Sequence, residues 1–306
     1  MSKVVVGTRG SQLALRQTEE VLARLKRLDR DLSLEVVEIK SAGDAAPETP
    51  LERLGKGVFI SELELALLQG RIDMAVHSLK DLPVELAEGL ALAVVCQRED
   101  PRDALVSKTG CAFSEMPPGA VIGTSSPRRA AQLRAMRGDL RVEPIRGNVE
   151  TRLRKALGPD YDGVVVAVAG LARLGLEGRI SHYFDPFEMV PEPGQGALAV
   201  EIRAEDRELL HLVSQLEDPP TRIAVTAERA FVERLGGGCR VPMAAYGAVK
   251  GNTLKLVGMV ISEDGKRAIK AQLEHPQEEP RAAGLALAER LLSLGAADVL
   301  KVETWS

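Results

Sequence analysis

Aromatic side chains are scarce. Five Phe, three Tyr and one Trp make up 3% of a 306-residue chain, so its cores have to be built from Val, Leu, Ala and Ile. Cysteine is scarcer still: Cys96, Cys111 and Cys239 stand far apart with no CxxC spacing, which gives neither a disulfide framework nor a thiolate zinc site. The histidines, His77, His182, His211 and His275, are scattered, and no Ser-His-Asp order is present. No metal centre and no serine-hydrolase triad is therefore expected.

Long apolar runs are also missing. The longest, Gly163 to Ala172, falls well short of the roughly 20 residues a bilayer requires, and the start MSKVVVGTRG carries too short an apolar stretch for a secretory signal. The chain is expected to be soluble and cytoplasmic. Charge of one sign is lacking as well: 40 basic against 44 acidic residues leave a net charge of −4, so no broad basic field draws the protein to nucleic acid or membrane. Nor is there a GxxxxGK[ST] loop, and Gly55-Lys56-Gly57 lacks its spacing, which disfavours a nucleotide phosphate.

What is present is an alternation of short aliphatic runs, Gly/Ser/Thr turns and helical patterns, the order of a parallel-sheet α/β fold. Val4–Val6, Leu34–Ile39, Met74–Val76, Leu90–Val95, Val121–Ile122 and Val164–Val168 read as strands, with helices over Leu13–Leu28 and Phe59–Leu68. Val6-Gly7-Thr8 and Ile122-Gly123-Thr124 look like copies of one another a domain length apart. Two similar α/β domains follow, 1–97 with 197–216 and 102–191; Arg98–Asp103 serves as the outward hinge, Val190–Gly194 as the return crossing, and Ala197–Arg203 as a strand rejoining the first domain. After Pro219-Pro220 the pattern becomes a helix ending at Gly236, strands joined at Gly251-Asn252 and Asp264-Gly265, a helix from Arg281 to Leu294 and a short terminal strand. Residues 219–306 thus read as a smaller α+β domain.

Three strand–turn–helix junctions gather arginine where a helix N-terminus already favours anions. They are Gly7-Thr8-Arg9-Gly10-Ser11; Gly123-Thr124-Ser125-Ser126-Pro127-Arg128-Arg129, with Ser126 suited to N-cap and Pro127 to N1; and Arg146-Gly147-Asn148, which places Arg152 about one turn into a helix. Lys80 adds a cation directly after a strand. Each alone reads more readily as a solvated surface charge. Gathered at the strand ends, where open α/β sheets bind ligands, and contributing roughly 1.5–3 kcal/mol per charge-assisted bond, they point to a ligand with several anionic groups.

Two residues could do chemistry there. Asp81, in His77-Ser78-Leu79-Lys80-Asp81-Leu82-Pro83, could stabilise a developing cation or pass a proton, or pair with Lys80 or an arginine as a structural salt bridge; His77 reads as packed. Cys239 closes Gly236-Gly237-Gly238-Cys239-Arg240, where glycines open the approach to sulfur and Arg240 favours thiolate. Cys96 reads as a small apolar strand residue and Cys111 as an incidental loop thiol.

With these segments assembled, the chain resembles the porphobilinogen deaminase (hydroxymethylbilane synthase) family over nearly its whole length. The matching pieces, in order, are GTRGSQLAL, GKGVFISELE, AVHSLKDLP, REDPRDALVS, GTSSPRRAAQL, RGNVETRLRK, AVAGLARLGL, PGQGALAVE and TAERAFVERLGGGCRVP. The resemblance implies two α/β domains of the periplasmic-binding-protein kind around a central cleft, and a monomer. It implies a dipyrromethane primer held through a thioether on Cys239, onto which four porphobilinogen units are joined head to tail with loss of ammonia before water releases the linear tetrapyrrole. Asp81 would stabilise positive charge on a pyrrole nitrogen. Arg9, Ser11, Lys80, Thr124, Ser125, Ser126, Arg128, Arg129, Arg146, Gly147 and Arg152 would bind acetate and propionate groups, supported by Gln17 and Gln195; Phe59, in a covering loop, would stack on a ring. Departures lie at Ala45–Thr49, at Arg240 and after Trp305. The competing readings are a solute-binding protein, which would need export, and a phosphosugar-binding regulator, which would have no use for Asp81 or Cys239.

Overall fold

The computed structural model describes residues 3–39, 61–236 and 242–302. In chain order the elements are β1 (Val4–Thr8), α1 (Gln12–Leu28), β2 (Leu34–Glu38), α2 (Glu62–Leu68), β3 (Met74–Ser78), β4 (Leu90–Val95), β5 (Asp103–Ser107), β6 (Val121–Gly123), α3 (Pro127–Met136), β7 (Arg141–Glu143), α4 (Val149–Ala156), β8 (Gly163–Ala167), α5 (Val168–Arg173), β9 (His182–Tyr183), β10 (Leu198–Arg203), α6 (Arg207–Val213), α7 (Pro219–Arg234), β11 (Met243–Lys250), β12 (Thr253–Ile261), β13 (Ala268–Pro276), α8 (Pro280–Ser293) and α9 (Ala296–Val302). They fall into two compact units, Met1–Gln97 with Ala197–Asp218, and Arg98–Gly196 with Pro219–Ser306.

The first unit is built on a five-stranded sheet of order β2-β1-β3-β10-β4. β1 runs parallel to β2 and β3, while β10 is antiparallel to β3 and β4. One face carries Val4, Val6, Met74, Val76, Leu198, Val200 and Ile202 against Val21 and Leu25 of α1 and Leu209, Leu212 and Val213 of α6. The other face packs Ala75 against Leu63, Ala66 and Leu67 of α2. Helix α1 starts where Ser11 accepts a hydrogen bond from the Ala14 amide, and Lys26 and Arg27 in its last turn suit the helix dipole.

The second unit repeats the plan in its own sheet, order β7-β6-β8-β5-β9, with β6 parallel to β7 and β8, and β5 antiparallel to β8 and β9. β6 stands where β1 stands in the first sheet, so the paired Val-Gly-Thr and Ile-Gly-Thr segments mark a topological duplication. The same unit holds a three-stranded meander, β11-β12-β13, whose core of Ala224, Ala227 and Phe231 from α7 and Leu287, Ala288 and Leu291 from α8 is separate from that of the five-stranded sheet. Its Val257, Met259 and Ile261 meet Ala131 of α3 and Val190.

Strands β5, β7 and β9 escape the sequence pattern: β7 and β9, of three and two residues, carry no usable period, and the five-residue β5 opens on a charge. Val168 begins a helix rather than ending a strand. The expected terminal strand is instead helix α9, because Ala296 and Val299, at helical spacing, both bury into the α7–α8 core. Phe59 and Cys239 lie outside the described residues.

Candidate functional site

In the first unit the strand ends present Arg9, Ser11, Lys80 and Asp81. β1 delivers a fully buried Thr8, whose hydroxyl accepts from Thr18 of α1 at 2.8 Å, and Arg9 follows exposed. Ser11 caps α1 with its oxygen and keeps its own hydrogen for another acceptor. Gln17, buried on α1, donates from Nε2 to Ser78 Oγ at 2.7 Å and so ties that helix to the end of β3. After β3 the backbone makes a single 3₁₀ turn over Leu79–Asp81. Leu79 and Leu82 are buried on either side, which holds Asp81 in solvent contact between two anchors. A carboxylate so placed is accessible to a ligand.

Beneath that turn lies a couple the sequence did not announce. His77 Nε2 is 2.9 Å from Oε2 of Glu201, which is fully buried. The distance is that of an ion pair when the imidazole is protonated, but the angles are not those of a hydrogen bond, and neither Glu201 oxygen has a hydrogen-bond partner among the described residues.

In the second unit Ser126 caps α3 by accepting from the Arg129 amide, and Thr124 Oγ1 accepts from the Ser126 amide at 3.2 Å. Both hydroxyls therefore retain a hydrogen to donate. Ser125 has committed its own to Ile145 O at 2.7 Å. Gly147 adopts φ +118° and a Cβ there would lie 2.6 Å from Thr151 Cγ2, so the turn carrying Arg146 requires glycine. Its carbonyl accepts from Arg152 Nε at 2.7 Å, and Asn148 caps α4. Burial and the nearby Arg129 charge push the Arg152 pKa down, a sign of gathered positive potential.

Arg128 and Arg129 are not solvated charges; both are buried. Asp103, at the start of β5 and itself fully buried, takes Nη1 of Arg128 at 2.7 Å and Nε of Arg129 at 2.9 Å. Arg129 is also engaged by Gln195 Oε1 and Val165 O. Gln195 has no exposed surface, and its Nε2 donates to Pro101 O at 2.7 Å and to Asp103 at 2.9 Å. Burial alone would raise the Asp103 pKa, but the two guanidinium charges and their hydrogen bonds prevail and hold it far below the carboxylate range. Nη1 of Arg128 also reaches Val190 O. Its Nε and Nη2 are buried without a hydrogen-bond partner among the described residues. Those two nitrogens form one edge of the guanidinium, spaced to hold both oxygens of a carboxylate.

Comparison with known proteins decides what this arrangement belongs to. Residues 4–211 match the family model described as porphobilinogen deaminase, dipyromethane cofactor binding domain, and residues 222–293 match the porphobilinogen deaminase C-terminal domain. The chain belongs to the porphobilinogen deaminase family. It is 47% identical to the porphobilinogen deaminase of Pelotomaculum thermopropionicum, covering 98% of this chain and 96% of that one. It is 48% identical to that of Syntrophus aciditrophicus, with 95% of each covered, and 46% identical to that of Chromobacterium violaceum, with 97% and 96% covered. Members of the family are transferases that carry a dipyrromethane cofactor. Among solved structures the chain is similar to a YaeC-family lipoprotein from Enterococcus faecalis (14% identity, TM-score 0.41, 71% of this chain and 91% of that one). It is also similar to an arginine-specific periplasmic binding protein from Salmonella typhimurium (12%, 0.41, 72% and 94%). No helix among the described residues is long and apolar enough to cross a membrane.

Asp103 and Glu201 are the groups that sequence reasoning missed. The sequence places Asp103 at the end of a polar hinge; a lone acid opening an Ala-Leu-Val run is the available signal, and by itself it does not reveal two arginine partners.

Proposed function

We propose that this chain is a hydroxymethylbilane synthase, which joins four porphobilinogen units head to tail on a covalent dipyrromethane primer, releases ammonia, and frees the linear tetrapyrrole with water. The observation that carries the assignment of its site is the buried Nε–Nη2 edge of Arg128, a fit for one pyrrole acetate or propionate. The cofactor, when bound, supplies a tethered pyrrole whose free position carbon can extend. Cys239 is its attachment point.

The chain's own residues bind and orient. Arg128 grips a carboxylate through two parallel N–H bonds. Ser126 and Thr124, already accepting backbone N–H groups of the α3 start, donate their hydroxyl hydrogens and pass on the helix dipole. Arg146 and Arg152 add charge at the rim; Arg9, Ser11 and Lys80 supply the equivalent set in the first unit. Asp81, exposed on its turn, stabilises positive charge on pyrrole nitrogen and takes up a proton as the new carbon–carbon bond forms. Porphobilinogen brings two carboxylates on every ring, which accounts for so many cations in a protein of net charge −4.

Intact-mass measurement of active, denatured protein tests this. The mass exceeds the polypeptide by one dipyrrole, and Cys239→Ser removes the excess; a bare polypeptide mass in protein that turns over porphobilinogen would overturn the assignment. The enzyme is further assigned as a cytoplasmic monomer, for which fractionation and sedimentation are the checks.

A further inference from the structure

One carboxylate organises both buried arginines of the second unit. Asp103 sits at the first position of β5, opposite Ala167 of β8, and α3 places Arg128 and Arg129 over it at successive positions. Successive helical residues point about 100° apart, so both guanidiniums reach one acid only because it is buried where their paths converge. The outcome for each is different. Arg129 has every nitrogen engaged, through Asp103 at 2.9 Å and 2.8 Å, Gln195 at 3.2 Å and Val165 O at 3.4 Å. Arg128 is held by Nη1 alone, through Asp103 at 2.7 Å and Val190 O at 2.8 Å. Its opposite edge, in a side chain only 4% exposed, is left with two N–H donors. Two guanidinium groups and one carboxylate leave a single positive charge at the core of the subsite, with Arg152 at its rim. A buried charge of that kind is tolerated when an anion completes it.

We propose that Asp103 is the positioning residue of this subsite: it locks Arg129 as a structural partner, fixes Arg128 by one nitrogen, and so aims the Nε–Nη2 edge of Arg128 at a single ligand carboxylate. This deepens the proposed function and rests on it. It divides two adjacent arginines that look interchangeable in the sequence. Arg128 touches the ligand; Arg129 sets the electrostatic balance that lets Asp103 stay buried and ionised.

Four proteins test it: wild type, Asp103→Asn, Arg129→Gln, and the double variant that restores the single positive charge. The readout is the fraction of purified chains carrying the dipyrrole by intact mass, with the melting temperature measured beside it. Asp103→Asn lowers that fraction by about tenfold or more, the factor expected for a misaimed charge-assisted pair, and Arg129→Gln, which leaves Arg128 neutralised, does the same. The double variant restores the net charge without the carboxylate that aims Arg128, so its loading stays within about threefold of Asp103→Asn. Recovery of the double variant to near wild type would show that Asp103 supplies net charge and not aim, and a melting temperature that falls in step with loading would make its role purely structural; either result, or full loading in Asp103→Asn, overturns the proposal. If Asp103→Asn does not fold, the comparison of Arg129→Gln with the double variant decides. If wild-type protein carries no dipyrrole at all, the proposed function has failed instead, and the Asp103 assignment is judged by added acetate: it raises the melting temperature of wild type and not of Asp103→Asn or the double variant. An equal rise in all of the folded proteins, or a rise in none, counts against it.

Discussion

Nε2 of His77 and Oε2 of Glu201 stand 2.9 Å apart on neighbouring antiparallel strands. β3 and β10 pair Ala199 with His77 and Ala75 with Glu201, so the two are diagonal neighbours on one face of the sheet. The last bond before the Asp81 turn, Leu79 N to Ala197 O at 3.0 Å, lies just beyond. Among the described residues Glu201 gains no backbone donor, which makes the couple a poor source of stability.

Replacing Glu201 by Gln keeps the volume and removes the buried charge. The melting temperature is expected to stay level or rise, whereas His77→Ala, which strands the carboxylate, is expected to cost about 3–5 kcal/mol in urea unfolding. A large loss in Glu201→Gln would show that the couple contributes to stability after all.

Asp81 lies in solvent contact on a turn anchored by its neighbours Leu79 and Leu82. Asp81→Ala should fold with an unchanged melting temperature and carry its primer or a stalled chain, yet turn over porphobilinogen about a hundredfold more slowly or worse. Near-normal turnover would remove Asp81 from the mechanism.

Glu228 of α7 is a different kind of buried acid, fully satisfied. It receives Arg98 Nη1 at 2.6 Å and the amides of Gly194 and Gly247, each at 2.7 Å. Arg98→Ala leaves this carboxylate buried with amides alone and is expected to lower stability by about 3–5 kcal/mol. Urea midpoints of the two proteins measure it, and a difference below about 1 kcal/mol, the range of exposed pairs, would contradict the burial.

The pH dependence follows from Asp103. Its folded pKa is depressed, so the stability it contributes is present in full above the unfolded carboxylate value and is lost as pH falls through that value toward the folded one. Unfolding measured from pH 7 downward should therefore show the stability advantage of wild type over Asp103→Asn shrinking in acid. An advantage that grows in acid would reverse the sign and refute the pairing.

Much of the site was legible in one dimension, for local reasons. Ser126-Pro127 announces a helix start because N-cap chemistry is decided within four residues, and the structure has that cap. Gly147 before Asn148 announces a tight turn into a helix, and its φ of +118° bears this out. The duplicated Gly-Thr segments predicted a repeated domain, because the strand–turn–helix order is itself local. The turn carrying Asp81 was legible from Pro83, which ends the strand pattern before it.

The partners of buried charge were not. Arg128 and Asp103 are 25 positions apart in the chain, and Glu201 reaches His77 only because β10 returns between β3 and β4. By itself the sequence determined most of the longer elements, the cations near the strand ends and the family, since each depends on neighbouring residues or their order. Only tertiary structure decided that of two adjacent arginines one is fully engaged and the other has a buried edge with no hydrogen-bond partner among the described residues. That choice depends on which atoms share a desolvated space, and desolvation is a property of packing rather than of composition.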